Sequence, residues 1–324
     1  MAELTLKKAV GDALTIAAAN KTGGEMLKLE EIVRAHLISV AADKSLFNEL
    51  TKGTTTLEAS PYAITVSKLQ GSKWTEKTGV GAGTADKFRI SKPLTINFNK
   101  PIYSHEAITA FEQSLGMPEV LTPKLTKMLQ EFQRMYERTS FNNLENKIIA
   151  DNKQVNFNTS TKTAKEIYEK IVEEATKLTE TIDLEQGIDL IDREQIVVFV
   201  KPAVFDKIAT MGLVGDRVTE TLAGGQYSIV QLGGYKVFSN PFLSQFDIVI
   251  SVNFLAAGAE RVIAANVERI APSNDMSVYF EGAFATGILW DNLSVGIANG
   301  TKTKQKENEI VQPKPEAERI KTSI

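Results

Sequence analysis

Apolar positions along the chain change period several times, and each change marks a different kind of element. Near the start, Leu6, Val10, Ala13, Leu14 and Ala17 recur at three- and four-residue intervals, and beyond Gly23 and Gly24 the residues Leu29, Val33, Leu37 and Val40 do so again. That spacing predicts two short amphipathic helices whose apolar faces need a partner. From 61 to 98 the period drops to two. Tyr62, Ile64 and Val66 alternate with small or polar residues, as do Phe88, Ile90, Leu94, Ile96 and Phe98, whereas 70–86 between them is rich in Gly, Ser, Thr and Lys. A long two-stranded ribbon with a polar tip is predicted. Two strands alone are marginal in water, so a ribbon projecting this far is expected to rest on another surface.

The helical period then returns. Thr122 has the character of an N-cap and Pro123 suits the first helical position, where its missing N–H is harmless. Leu125, Met128, Phe132, Met135 and Tyr136 form one stripe, and Phe141, Leu144 and Ile148 form another, displaced around Thr139 and Ser140. One long helix over 122–152 is predicted, bent or re-aimed near that displacement. A second helix opens with the capping box of Thr163 and Glu166 and buries Ile167, Ile171, Ala175 and Leu178. Beyond it, 195–200 is an apolar, β-branched run and 202–211 a brief helix. Residues 227–238 read as two strands broken at Gly233 and Gly234, and 247–252 and much of 276–297 also read as strand. The succession predicts an α+β fold with mixed or antiparallel sheets. Residues 301–324, with many Lys, Glu and Pro, read as a solvated, disordered tail before a strap over a neighbouring subunit.

Composition narrows the function classes. The chain has 324 residues, 43% hydrophobic and 24% charged, enough for about two domains. Its 37 Lys and Arg against 40 Asp and Glu give a net charge of -3, which argues against a protein built to neutralise many phosphates. There is no cysteine, so disulfides, thiolate zinc sites and cysteine nucleophiles are excluded, and His36 and His105 are the sole histidines. The alanine-rich stretch after Lys7 and Lys8 is interrupted by Asp12 and ends at Asn20 and Lys21, unlike a signal peptide. The most apolar run, 246–259, is too short for a bilayer and contains Asp247, Ser251 and Asn253. A soluble, intracellular protein without a membrane partner is expected.

Candidate chemistry is sparse. Gly79, Gly81 and Gly83 precede a predicted strand instead of a helix, so they form a loop tip and not a phosphate cradle. The acidic run Asp183, Glu185, Asp189, Asp192 and Glu194 lacks the oxygen spacing of a Ca loop and reads as a solvated connector. No Gly-x-Ser-x-Gly elbow occurs. Phe280, Phe284 and Trp290 read as core or interface residues. A hydrolase using a carboxylate pair, with Asp189 or Glu194 as candidates, stays open as a distant alternative, since such pairs meet only in three dimensions. A chain with projecting ribbon, arm and tail but little chemistry is more economically an assembly protein than an enzyme.

The order of arm, ribbon at 61–98, long helix at 122–152 and α+β remainder resembles the major capsid proteins of tailed bacteriophages, which have the HK97-type fold. Three stretches carry local likeness. Residues 227–243 place Leu232, Gly233 and Gly234 before a strand and a short polar turn, 195–208 resemble the strand and short helix before it, and 278–297 resemble a closing strand. The resemblance implies an N-terminal arm (1–60, helical), an extended loop (61–98), a peripheral part with the spine helix (99–160), an axial domain (161–245), a return to the sheets (246–300) and a charged tail (301–324). It implies a structural subunit of an icosahedral shell around double-stranded DNA, with no enzymatic activity, cofactor or metal. Hexamers and pentamers of the chain, a portal and weak, non-specific DNA contact follow. Because the arm is only about sixty residues, without a built-in scaffold, a separate scaffolding protein is implied too. Lys73, Trp74, Lys77 and Phe88 on the ribbon, with Phe132 and Tyr136 on the helix, are the candidates for contact between subunits. Lys73 and Lys77 read as solvated lysines, since no crosslinking partner can be matched to them. An encapsulin-type nanocompartment shell is the nearest alternative.

Overall fold

A computed structural model describes residues 27–28, 45–52, 54–60, 62–67, 93–109, 111–112, 117–183, 188–212, 229–232, 234–269 and 275–303. In chain order these form β1 (Leu27–Lys28), a 3-10 turn (Phe47–Leu50), β2 (Thr55–Ala59), β3 (Ala63–Ser67), β4 (Leu94–Asn97), β5 (Ile102–Ile108), α1 (Met117–Ala150) and β6 (Gln154–Asn156). There follow α2 (Ala164–Thr179), β7 (Ile182–Asp183), β8 (Ile188–Asp189), a second 3-10 turn (Arg193–Gln195), β9 (Ile196–Val200) and α3 (Pro202–Gly212). The chain closes with β10 (Ile229–Leu232), β11 (Tyr235–Ser239), β12 (Ile248–Val252), β13 (Ala256–Arg269), β14 (Met276–Ile288) and β15 (Ser294–Ala298). The two predicted N-terminal helices, the ribbon tip at 70–86 and the tail beyond 303 lie outside the described residues.

Helix α1 organises the rest. Its 34 residues would span about 50 Å. Leu121, Leu125, Leu129, Phe132, Tyr136, Ser140, Leu144 and Ile148 follow one another at three- or four-residue steps, and every one is buried. The predicted displacement at Thr139 and Ser140 is absent. Ser140 occupies the row itself, and its hydroxyl donates to the Tyr136 carbonyl at 2.7 Å, which lets a polar residue sit in an apolar stripe. The start also differs from the sequence expectation. The helix opens at Met117 with Pro118 in its first turn, while Thr122 and Pro123 lie inside it. Burial of Leu121 and Leu125 on either side carries the helix through a proline that cannot donate. At the far end Asn152 adopts a left-handed φ of 55°, and the Lys153 amide donates back to the Ile148 carbonyl at 3.1 Å. Asparagine tolerates that conformation, so the turn caps the helix where a glycine often would.

Two sheets receive the helix. One is fully antiparallel, in the order β1-β13-β14-β5, and the other is mixed and six-stranded, in the order β10-β11-β9-β12-β15-β6. Phe132 meets Phe280 and Phe284 of β14 with ring centroids 5.4 and 5.9 Å apart, and Tyr136 meets Phe284 at 5.7 Å. Farther along, Phe141 meets Phe199 of β9 at 5.0 Å. One helix thus completes the core of the first sheet with its middle and that of the second with its C-terminal part. The middle strands β9, β12 and β15 are buried at every position, which explains their continuous apolar runs. Helix α2 opens with the expected capping box of Thr163 and Glu166 and buries Ile167, Ile171, Ala175 and Leu178 against the second sheet.

Several strands were not legible. β13 reads Ala-Ala-Gly-Ala at its start, a composition with little strand preference, and is held extended by pairing with β14 from Ala256↔Ile288 to Arg269↔Met276, with a bulge between Val262 and Ala264. β5 joins the same sheet at its edge. The segment up to residue 60, expected to be helical, contributes β1 and β2, and β2 adds a third strand to the ribbon root in the order β2-β3-β4.

The approach of α1 to β14 needs a residue without a side chain. A Cβ on Gly282 would lie 2.7 Å from Phe132 Cε2, closer than carbon atoms pack. Gly282→Ala is expected to cost about 1 to 3 kcal/mol, read from the denaturation midpoint in urea. An unchanged midpoint would mean that Phe132 can move aside.

Candidate assembly surfaces and the clamps behind them

The ribbon root is fixed to β14 at Asn99 and Ile96. Asn99 donates its backbone N–H to the Phe284 carbonyl at 3.0 Å, and its side-chain oxygen accepts from the Phe284 N–H at 2.8 Å, so it acts as an added residue on β14. Next to it the Phe98 amide donates to the Tyr62 carbonyl at 2.9 Å, joining the two ribbon strands. Ile96 packs directly over Gly287, where a Cβ would come within 2.6 Å of its Cδ1. Ile64 and Val66 on β3 are buried, whereas on β4 Leu94, Thr95 and Asn97 are exposed and only Ile96 is covered in part. A strand with three of its four residues exposed gains little from its own subunit, and its apolar Leu94 is 42% exposed.

A second surface is the open face of the antiparallel sheet, opposite α1. Tyr103 on edge strand β5 stacks on Tyr279 of β14 at 5.9 Å, and His105 meets the same ring edge-on at 5.8 Å. The Tyr279 hydroxyl donates to Glu281 at 2.7 Å, and its partial burial together with the carboxylate's pull on that proton pushes it up to about 12. Tyr103 is 59% exposed. His105 thus has an aromatic neighbour on a largely exposed strand, and His36 lies outside the described residues.

Behind these surfaces, two buried glutamates of α1 tie irregular backbone to the helix. Glu145 is fully buried and accepts from the N–H groups of Ser244, Gln245 and Phe246 at 3.1, 2.9 and 3.0 Å, and from the Ser244 hydroxyl at 2.5 Å. A carboxylate accepting several amides is well compensated for leaving water. It orders the turn that delivers the chain into β12. Glu137, eight residues earlier on the helix, accepts from the Phe47 N–H at 3.1 Å and the Ser45 hydroxyl at 2.5 Å. Leu46, Phe47 and Leu50 are buried beside it, so the end of the arm is part of the core. These clamps were missed by sequence reading because an isolated Glu in an amphipathic helix looks like surface charge.

Of the six contact candidates, Lys73, Trp74, Lys77 and Phe88 lie outside the described residues. Phe132 and Tyr136 are each 1% exposed, enclosed between α1 and β14, so within this subunit their rings present no surface to a neighbour. Phe280, Phe284 and Trp290 are likewise core, as read. In the acidic run, Asp183 and Asp189 lie in the β7–β8 hairpin, Ile182 pairing with Asp189, and Glu194 is exposed in the second 3-10 turn. Among the described residues no group of three or more His, Asp or Glu is placed to hold a metal ion, and no helix is long and apolar enough to cross a membrane. A hollow of 460 Å³ between Lys201, Gln245, Asp247 and Lys302 has an all-polar lining, and its Lys201 is paired with Asp247 at 3.0 Å, unlike the apolar pockets that hold small molecules.

Glu145→Ala should leave three amides without an acceptor and lower the unfolding free energy by about 3 kcal/mol, with Glu145→Gln recovering part of it. Equilibrium denaturation of the two variants measures both effects, and equal stability of Ala variant and parent would show that the turn does not need the clamp.

No protein-family model matches the sequence, and no curated protein matches it. Solved structures do. A chain from the capsid of the cyanophage P-SCSP1u is similar with a TM-score of 0.55 at 9% identity, over 80% of this chain and 89% of that one. A chain of Mycobacterium phage Che8 matches with 0.50 at 10% identity, over 74% and 85% of the two chains. A chain of the satellite phage P4 procapsid, a structure that includes the size determination (Sid) protein, matches with 0.50 at 8% identity, over 88% and 95%. At such identities the likeness lies in the backbone, and it extends over most of both chains: the fold of this protein is a phage capsid fold.

Proposed function

We propose that this chain is the structural subunit of a phage head, assembling as hexamers and pentamers into an icosahedral shell that encloses double-stranded DNA. The observation that carries the reading is the capsid fold combined with a ribbon root whose outer strand is exposed at three of its four residues. In HK97-type terms, 1–60 is the arm, 61–98 the extended loop and α1 the spine helix. The antiparallel sheet corresponds to the peripheral part within 99–160 and 246–300, and the β9–β12 region to the axial domain centred on 161–245. The tail at 301–324 lies outside this division.

Heterologous contacts between identical copies can close a large container, with the ribbon of one subunit lying on the next. Individually weak contacts then add through their number. Lys73, Trp74, Lys77 and Phe88 are the ribbon residues assigned to this contact. A separate scaffolding protein and a portal complete the assembly, which takes place in the cytoplasm of the host, and the mature protein belongs to the virion. A net charge of -3 suits a wall that must contain DNA without gripping it.

Deleting 68–92 separates assembly from folding. The shortened chain is expected to keep a cooperative unfolding transition within about 2 kcal/mol of the parent while losing the fast-sedimenting particles that the parent forms with its scaffolding protein. Particles formed equally well without the ribbon would sink the reading. Shells that co-purify with an enzyme cargo instead of DNA would replace the phage head by a nanocompartment.

A further inference from the structure

Glu137 has a neighbour that the clamp does not explain. Glu260 of β13 stands opposite Phe284 in the sheet, on the face that α1 covers. Both its carboxylate oxygens are enclosed, and the enclosed Gln133 amide of α1 lies beside both carboxylates. We propose that Glu137 and Glu260 are a proton-sharing pair that latches the root of the N-terminal arm, residues 45–50, to the body, so that loss of the shared proton loosens the root. The inference rests on this cluster and not on the shell reading.

Every element packed around the pair contributes a group. The arm root brings the Ser45 hydroxyl and the Leu46 and Phe47 amides, α1 brings Gln133 and the Tyr136 hydroxyl, β13 brings Glu260 itself, and β14 brings the Phe284 ring. None of the groups acting on either carboxylate is a cation, among the described residues. Arg261 follows Glu260 on the strand, and side-chain alternation directs it to the opposite face of the sheet. Two ionised carboxylates in such surroundings repel each other and lack solvation, so the pair keeps a proton that exposed glutamates would have lost. That proton leaves Glu137 ionised enough to accept from Ser45 and Phe47. Phe47 then holds its ring edge-on to Tyr136 at 5.8 Å and to Phe141 at 5.9 Å.

Burial raises both groups, Glu137 to about 7 and Glu260 to about 8, the charge of Glu137 adding to the shift of Glu260. The unfolded chain releases these protons near 4.5, so the folded root binds more protons than the free chain between 4.5 and about 8. Its stability is complete below 4.5 and is lost as pH rises through 7 to 8. A salt-bridged carboxylate would behave in the opposite way.

Hydrogen exchange on the full chain reads the latch at the Phe47 amide. Normalised to intrinsic rates, its protection is expected to fall about tenfold or more between about pH 6 and about pH 9, and to change less than about twofold in Glu260→Gln. Infrared spectra of the parent should show a protonated carboxyl persisting above about pH 6. That measurement needs no variant, so a poorly folding Glu260→Gln leaves the proposal testable. Constant protection in the parent, an undiminished fall in Glu260→Gln, or no protonated carboxyl above about pH 6 each overturn it. Protection restored at high pH by Mg²⁺ or Ca²⁺ beyond an equal ionic strength of NaCl also overturns it, in favour of a shared cation.

Discussion

The structure depends on a single helix face that is shared by two sheets. Neither the antiparallel sheet nor the mixed sheet could bury its apolar side without α1, and the helix, with a buried row running from Leu121 to Ile148, could not stay in water without both. Aromatic residues set the contact points, Phe132 and Tyr136 on β14 and Phe141 on β9. Because packed interiors do not deform continuously, the two sheets are joined as closely as α1 is stiff. That property suits the proposed shell, in which the edges of neighbouring copies would meet at a set angle.

Polar groups inside this frame act as fasteners for backbone that has no regular partner. Glu145 gathers three amides of the turn before β12, Asn99 pairs with Phe284 to seat the ribbon, and Glu137 holds the end of the arm. Each attaches a peripheral segment to the helix or to β14, the two elements at the centre of the molecule. Residues 45–50, the strands β3 and β4 and the turn before β12 are therefore positioned from one rigid core, although few apolar contacts hold β4 itself. The ion pairs add less. Lys177 and Glu173 pair on the exposed side of α2, where solvent screens them.

Much of this frame is legible in the sequence because period and burial coincide. The stripe of α1, the capping box of α2 and the apolar runs of β9 and β12 announce themselves, and so do β3 and β4, through their alternation. What escapes is decided by tertiary context. Ser140 breaks the stripe for a reader of sequence and completes it in the fold, through a hydroxyl bonded within its own helix. Pro123 marks a helix start by local rules and lies inside α1 because its neighbours are buried. β13 has an alanine-rich start and is a strand only by virtue of β14. The clamps are invisible for the same reason, since Glu137, Glu145 and Glu260 acquire their roles from groups far away along the chain. Phe132 and Tyr136, expected as contacts between subunits, turn inward because the stripe has two sheets to cover.

Electron cryomicroscopy of whatever particles this chain forms tests the proposed shell most directly. The account predicts a closed shell of hexamers and pentamers in which α1 bridges the two sheets of each subunit and the ribbon beyond β3 and β4 lies on an adjacent copy. Discrete monomers, or a ribbon folded back on its own subunit within a particle, would contradict it.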